Sequence, residues 1–322
     1  MPPSPQGEGY KTDMEIYKEI PKLKNKTCVS IGKFDGVHLG HETLLEELVL
    51  SAELRENESV VFTFTPDPED FFSGKELLHL NTRGEIISQM DEIGVDILVN
   101  APFDKAFADM EPKDFVKNIL VNRLKAACIV CGSDVSFGKG GKGDAKLLKD
   151  LSKELGFEVE IVEKVTYKDE PISSSRIKEA LESGNMEDAS EMLGYDYYHY
   201  GPIVKGQGLG HRFNIPTVNI NPVKGRIIPK HGVYFTVVEV DEKEEYHAVT
   251  NVGVRPTVSD ENSVNIESHL IDCPMDTDFY GKRMRVYFLK YSRTEKKFES
   301  TSHLFKQIEN DITEAKAFFA KA

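Results

Sequence analysis

The chain has no tryptophan and only four cysteines in 322 residues. Four thiols in a chain of this size do not make a disulfide framework, so a reducing, cytoplasmic setting is expected. Basic residues are also in deficit. Forty Lys and Arg stand against 54 Asp and Glu, a formal charge of −14. A nucleic-acid surface needs cations to displace counterions, so no nucleic-acid partner is expected. A nucleotide pocket, which needs only a few local donors, is not excluded. No apolar run approaches the length of a membrane span, so no membrane partner is expected. The pattern G-x-x-x-x-G-K-[ST] occurs nowhere, and no internal repeat is found. Met1–Tyr10 is rich in Pro, Gly and Ser and reads as part of a loose tail over residues 1–25, without the features of a signal peptide.

The length suits two domains. The first half alternates strand-like and helix-like segments. Strands are predicted at Cys28–Ile31, Val60–Phe64, Ile97–Asn100, Cys128–Cys131 and Val159–Val162. Helices are predicted at Glu42–Leu54, Glu85–Ile93, Lys113–Leu124 and Ala145–Leu155. This alternation predicts an α/β domain with a parallel, doubly wound sheet over residues 26–185. Ligands of such sheets bind at the carboxyl ends of the strands. Cys128 and Cys131 form a C-x-x-C, but side chains three apart on a strand face opposite ways. They are read as small core hydrophobes.

Ile177–Glu182 and Met186–Leu193 read as two short helices, and residues 186–197 as the connection to a second domain. Beyond it, Pro202–Lys205, Gly232–Val240, Tyr246–Val252, Asn265–Ile271 and Arg283–Leu289 look like strands. They predict a small antiparallel barrel over residues 198–322. The amphipathic segment Ser302–Ala320 closes the chain as a helix, with Leu304, Ile308, Ile312 and Ala315 on one face.

The most informative stretch is Ser30-Ile31-Gly32-Lys33-Phe34-Asp35-Gly36-Val37-His38-Leu39-Gly40-His41. Strand, glycine-rich turn and helix follow one another. His38 and His41 fall where the helix begins, and there free N–H groups and the helix dipole attract anions. The small residues let phosphates approach the backbone. A zinc site is a poor alternative, because two histidines three apart lack a third ligand nearby. A second stretch, Ile172-Ser173-Ser174-Ser175-Arg176-Ile177-Lys178, opens another helix. Its serines serve either as ordinary caps or as hydroxyls beside a nucleotide. In Val130-Cys131-Gly132-Ser133-Asp134, Gly132 permits close approach and Asp134 offers a carboxylate. In the second half, Gly201, Gly206, Gly208 and Gly210 precede Pro216-Thr217-Val218-Asn219. A hydroxyl and an amide oxygen two apart on a strand are hard ligands suited to Mg²⁺.

The first stretch resembles the G-x-F-D-G-x-H-x-G-H motif of the nucleotidyltransferase superfamily, in the form found in bacterial bifunctional riboflavin kinase/FAD synthetases. The resemblance continues in order from residue 28 to residue 311. The serine run looks like the family's S-S-T-x-x-R motif, with Ser175 at the threonine and Lys178 at the arginine. Thr63-Phe64-Thr65-Pro66-Asp67-Pro68 matches T-F-x-P-H-P with Asp67 at the histidine. An acid there would need a metal or a lysine beside it. The loop ending at Asn219 is similar to the riboflavin kinase G-F-P-T-A-N, with Asn214 at its last glycine. The resemblance implies a Rossmann-like nucleotidyltransferase domain, then a riboflavin kinase barrel, with riboflavin, FMN, FAD and ATP as small-molecule partners and Mg²⁺ as cofactor. It implies ATP binding by Gly32, Phe34, Asp35, Gly36, Gly40, Gly132, Asp134, Ser173, Ser174, Ser175, Arg176 and Lys178, with His38 and His41 catalytic. In the barrel it implies Gly201, Gly206, Gly208, Gly210, Pro216 and Arg255 at ATP and flavin, Thr217 and Asn219 on the metal, and Glu267 as the base. Asp67 and Lys178 keep a second reading open, in which the first half adenylylates weakly or not at all. A third is a flavin-binding regulator without turnover.

Overall fold

The computed structural model describes residues 13–75, 77–204, 217–255, 263–274, 277–279 and 281–321. The chain divides into two compact units between Ser174 and Ser175.

In the first unit the elements run β1 (Glu15–Tyr17), β2 (Thr27–Ile31), α1 (Leu39–Leu54), β3 (Glu58–Thr65), α2 (Pro68–Ser73), α3 (Arg83–Ile93) and β4 (Ile97–Pro102). Then come α4 (Lys105–Ala108), α5 (Pro112–Asp114), β5 (Ala126–Gly132), α6 (Ala145–Leu155), β6 (Glu158–Val162) and the hairpin of β7 (Thr166–Tyr167) and β8 (Glu170–Pro171). Six strands form one sheet in the order β1-β4-β3-β2-β5-β6, and each pairing is parallel. Successive residues of a buried strand serve opposite faces. Val29, Val60 and Ile129 pack with Leu148 and Leu151 of α6 on one side. Cys28, Val61 and Val130 pack with Leu45 and Leu48 of α1 on the other. The sheet is thus covered on both faces, as parallel sheets are. Cys128 belongs to the second of these cores and Cys131 to the first. The C-x-x-C is two free, buried thiols on opposite faces.

One predicted helix is wound differently. In place of an α-helix over Lys113–Leu124, α5 runs into a π-wound segment, Phe115–Val121. Phe115, Val116, Ile119 and Leu120 are buried all the same. The apolar spacing specifies which side chains are inside, not which hydrogen-bond ladder carries them.

Helix α7 (Ser174–Ser183) begins at the last residue of the first unit, and α8 (Met186–Leu193) follows. The division therefore falls earlier than the expected 186–197 connection, most of which is α8. The reason is local: the Leu181 carbonyl accepts the Lys230 N–H at 3.0 Å, and α8 packs on β14 (Arg283–Arg293).

The remaining strands are β9 (Tyr198–Pro202), β10 (Thr217–Ile220), β11 (Gly232–Val240), β12 (Glu244–Arg255) and β13 (Ser263–Leu270). With β14 they form an antiparallel sheet in the order β10-β13-β12-β11-β14-β9. The edges meet where Val204 N–H donates to the Asn219 carbonyl at 2.8 Å, which curls the sheet into the expected barrel. The strand predicted at Pro202–Lys205 lies earlier, at β9, because Tyr198, His199 and Gly201 are buried there. One barrel face buries Tyr234, Val238, Val252, Ile266 and Val286, with a row of hydroxyls, Thr236–Thr250–Ser268, at 2.6 and 2.8 Å. The other face takes α9 (Thr301–Phe319), whose Ile312, Ala315 and Phe318 pack on Val233, Phe235 and Val249.

Candidate active sites

In the first unit, β2 delivers the chain at the carboxyl edge of the sheet and α1 takes it away. His38 is the N-cap of α1, and its Nδ1 accepts the His41 N–H at 3.3 Å. That bond leaves the proton of a neutral His38 on Nε2. The two imidazoles stack, 3.7 Å between centroids and 14° between planes, with the Phe34 ring 5.3 Å from His41. Burial pulls His38 down to about 4. It pulls His41 well below the ordinary range too, and His38 adds to this. Both rings are therefore neutral near pH 7, and they offer N–H donors rather than charge.

The turn before them is strained. Phe34, Gly36 and Val37 have φ of 57°, 90° and 35°, a region non-glycine residues seldom enter. The packing is close enough that a Cβ on Gly32 would stand 2.9 Å from the Phe34 ring, and one on Gly40 3.3 Å from the His38 ring. Asp35 holds the turn in place: its carboxylate accepts the Leu80 N–H at 2.8 Å, and its carbonyl accepts the Ser174 hydroxyl at 2.8 Å. The two motifs quoted from sequence thus meet at Asp35. His79 sits between Asp35 and Asp70, 3.7 and 3.1 Å away, and both carboxylates raise its basicity. No sequence signal marked it.

Gly132 ends β5, the strand next to β2, and a Cβ there would meet Asp134 at 3.1 Å. Asp134 pairs with Lys164 at 2.9 Å. Ser173 is half-buried and Ser175 exposed. Ser175, Arg176 and Lys178 continue along α7 on the far side of the unit division. Asp67 caps α2 by accepting the Glu69 N–H at 2.9 Å. Lys33, which also bonds Glu69, has its Nζ 4.0 Å from Asp67. The lysine that an acid at this position requires is present.

Cys128, Glu158 and Glu160 also come together, with ligand atoms within 4.8 Å of one another. Arg55 already bridges the two carboxylates at 2.7 and 2.5 Å. The group is a satisfied ion pair.

In the barrel the register builds the second site. β13 lies between β10 and β12, so Glu267 has Asn219 opposite it on one side and Asn251 on the other. Thr217 is opposite His269. The Asn265 amide donates to Asn219 Oδ1 at 2.9 Å, while its own oxygen is buried without a hydrogen-bond partner among the described residues. Asn251 donates to Glu295 at 2.9 Å, and a Cβ on Gly253 would strike Glu295 at 2.0 Å. His269 is held below its usual range by burial, partly offset by Glu267 and Asp311. Thr217, Asn219, Asn265 and Glu267 together form a set of hard oxygen donors, with one buried oxygen still unsatisfied. That is the chemistry a small divalent cation requires. Gly201 is buried in β9. Gly206, Gly208, Gly210 and Pro216 lie outside the described residues, as does the side chain of Arg255 at the end of β12. Asn251, Asn265 and His269 were not predicted as site residues.

Comparison with known proteins covers both units. Residues 20–176 match the family model described as FAD synthetase, and residues 193–319 the one described as riboflavin kinase. A Listeria monocytogenes protein described as a bifunctional riboflavin kinase/FMN adenylyltransferase is 33% identical over 297 residues, covering 91% of this chain and 92% of its own. A Bacillus subtilis protein of the same description is 34% identical, covering 94% and 95%. A Streptococcus pneumoniae crystal structure described as a macrolide-efflux protein superposes with a TM-score of 0.82 at 28% identity, covering 94% of this chain and 99% of that one. Among the described residues here, no helix is long and apolar enough to cross a membrane.

Proposed function

The chain belongs to the bifunctional riboflavin kinase/FMN adenylyltransferase family, and from that premise we propose that it converts riboflavin to FMN in the barrel and FMN to FAD in the α/β unit. What supports the reading is a pair of local arrangements, one in each unit. His38 and His41 stack at the start of α1, and Glu267 stands between Asn219 and Asn251.

In the barrel, the riboflavin 5′-hydroxyl attacks the γ-phosphorus of ATP and ADP leaves. Glu267 takes the hydroxyl proton, a role in which a positioned carboxylate contributes about 10²–10⁴-fold. Thr217 and Asn219 would hold Mg²⁺, beside the Asn265 amide that bonds Asn219, and the ion would supply positive charge against the ATP phosphates. Phosphoryl transfer depends on positioning and electrostatics, so this short inventory suffices.

In the α/β unit, a phosphate oxygen of FMN attacks the α-phosphorus of ATP and pyrophosphate leaves. The backbone N–H groups at the start of α1 and the Nε2–H of His38 donate to the phosphates. Neutral donors fit here, since they stabilise developing charge without titrating near pH 7. Ser174, bonded to Asp35, keeps the strained turn in the shape that presents them. With Lys33 beside Asp67, the acid in the proline motif no longer argues for a silent first unit.

The test is product analysis. The purified protein is incubated with riboflavin, ATP and Mg²⁺ and sampled over time by chromatography. FMN followed by FAD is the expected outcome. FMN without FAD would reduce the protein to a kinase, and neither product would remove the proposal.

A further inference from the structure

Arg83 is the first residue of α3. The positive end of a helix dipole disfavours a cation there. Its Nε and Nη2 are buried and have no hydrogen-bond partner among the described residues. Buried guanidinium N–H groups left unpaired are uncommon and costly. Burial draws the guanidinium down to about 10, and the charge of Asp67 partly offsets this. Asp67 itself is engaged by the Glu69 N–H and by Lys33.

The position of Arg83 gives this meaning. Leu80, three residues earlier, donates its N–H to Asp35 in the His38/His41 turn. The start of α3 is thereby tied to the nucleotide turn, on the β3 side of β2. On that same side Phe71 and Phe72 of α2 are 37% and 67% exposed and pack edge-on against Phe103, just after β4. A guanidinium with two unpaired donors among the described residues thus lies three residues from the contact to the turn, and exposed aromatic rings lie on the same side of the sheet. A ligand with a flat ring system and a phosphate monoester matches both.

We propose that Arg83 is the residue of the α/β unit that binds the terminal phosphate of FMN, and so selects FMN over riboflavin as the acceptor. The inference rests on the functional reading of that unit. The phosphate supplies acceptors to the Nε and Nη2 of Arg83, which have none among the described residues, and it does so where the helix end also favours an anion. Asp67 makes no hydrogen bond or ion pair with Arg83 and acts on it only through its charge, so the Nε and Nη2 donors stay open to the phosphate. Riboflavin, with no phosphate, gains nothing from this contact.

The experiment measures FAD formation from FMN and ATP by the full-length protein carrying Glu267→Gln, which stops the barrel from turning added riboflavin into FMN, together with inhibition of that reaction by riboflavin. Arg83→Gln is expected to raise the FMN KM roughly ten- to a hundredfold. The ATP KM and the riboflavin inhibition constant should move less than about twofold, since neither depends on that contact. Arg83→Lys, which keeps the charge but loses the planar fork, should fall between. Asp67→Asn, which removes a negative charge that acts on the same place, should lower the FMN KM. Circular dichroism checks that each variant is folded, and if Arg83→Gln is not, Arg83→Lys and Asp67→Asn decide between them. Equal weakening of FMN and riboflavin would mean that Arg83 only shapes the pocket and would overturn the inference. An unchanged FMN KM in the Arg83 variants overturns it too while leaving FAD synthesis standing. A wild-type protein that makes no FAD overturns the reading of the unit and the inference together.

Discussion

The depressed basicity of His38 has a consequence for stability that can be measured. The imidazole falls from an ordinary 6.5 to about 4 because it is buried. Above pH 6.5 the folded and unfolded chains both hold it neutral, and it makes no pH-dependent contribution. Between pH 6.5 and 4 the unfolded chain takes up a proton that the folded chain refuses, so stability falls as pH falls. A difference of about 2.5 pH units at about 1.36 kcal/mol each amounts to about 3 kcal/mol lost by pH 4. His38 is only 5% exposed, so solvent screening takes little from this figure. His41 is displaced in the same direction and deepens the fall. His38→Asn isolates the effect, since asparagine is a favoured N-cap and does not titrate. Urea denaturation at a series of pH values, followed by circular dichroism and by hydrogen exchange in peptides from α1, gives both curves. The two proteins should be within about 1 kcal/mol at pH 7. The wild type should then lose about 3 kcal/mol more than the variant on going to pH 4. Proton NMR of the wild type should place the His38 midpoint near 4. Parallel stability curves, or a midpoint near 6.5, would refute the claim that these rings are buried neutral donors.

Glu267→Gln should lower FMN formation by about 10²–10⁴-fold while riboflavin still binds, as read by quenching of flavin fluorescence; equal loss of binding and turnover would move the base elsewhere. Gly36→Val forces a branched side chain to φ of 90°. It should cost on the order of 1–3 kcal/mol and depress FAD formation far more than FMN formation in paired assays. Asp311→Ala strips Arg293 of two bonds at 2.9 and 2.6 Å and Gln307 of one at 2.9 Å. Asp311 is 2% exposed, so the loss should be about 3 kcal/mol, seen as a lower urea midpoint for the barrel.

What was legible in the sequence was whatever depends on near neighbours along the chain. Apolar runs placed β2 to β6 and α6 because a buried strand or an amphipathic helix is specified by its own spacing. The same logic read Cys128 and Cys131 correctly, since alternation alone puts them on opposite faces. What stayed hidden depends on register between distant segments. Asn219 and Asn251 are 48 and 16 residues from Glu267 in sequence; only the pairing of β10, β13 and β12 makes them its neighbours. Leu80 reaches Asp35 through a single backbone N–H, and a backbone donor leaves no trace in residue identity. β9 was set a few residues too late because Tyr198-His199-Tyr200 carries polar atoms that the barrel satisfies or stacks only after closing, as when His199 bonds the Ile227 carbonyl at 3.1 Å. Asp67 shows the limit most sharply. Read along the chain, it is an acid where phosphates are expected and counts against catalysis. In the fold it faces Lys33 from the preceding turn and offsets the buried charge of Arg83. Whether a charged residue opposes a phosphate or prepares a cation to receive one is decided by partners that sequence order does not reveal.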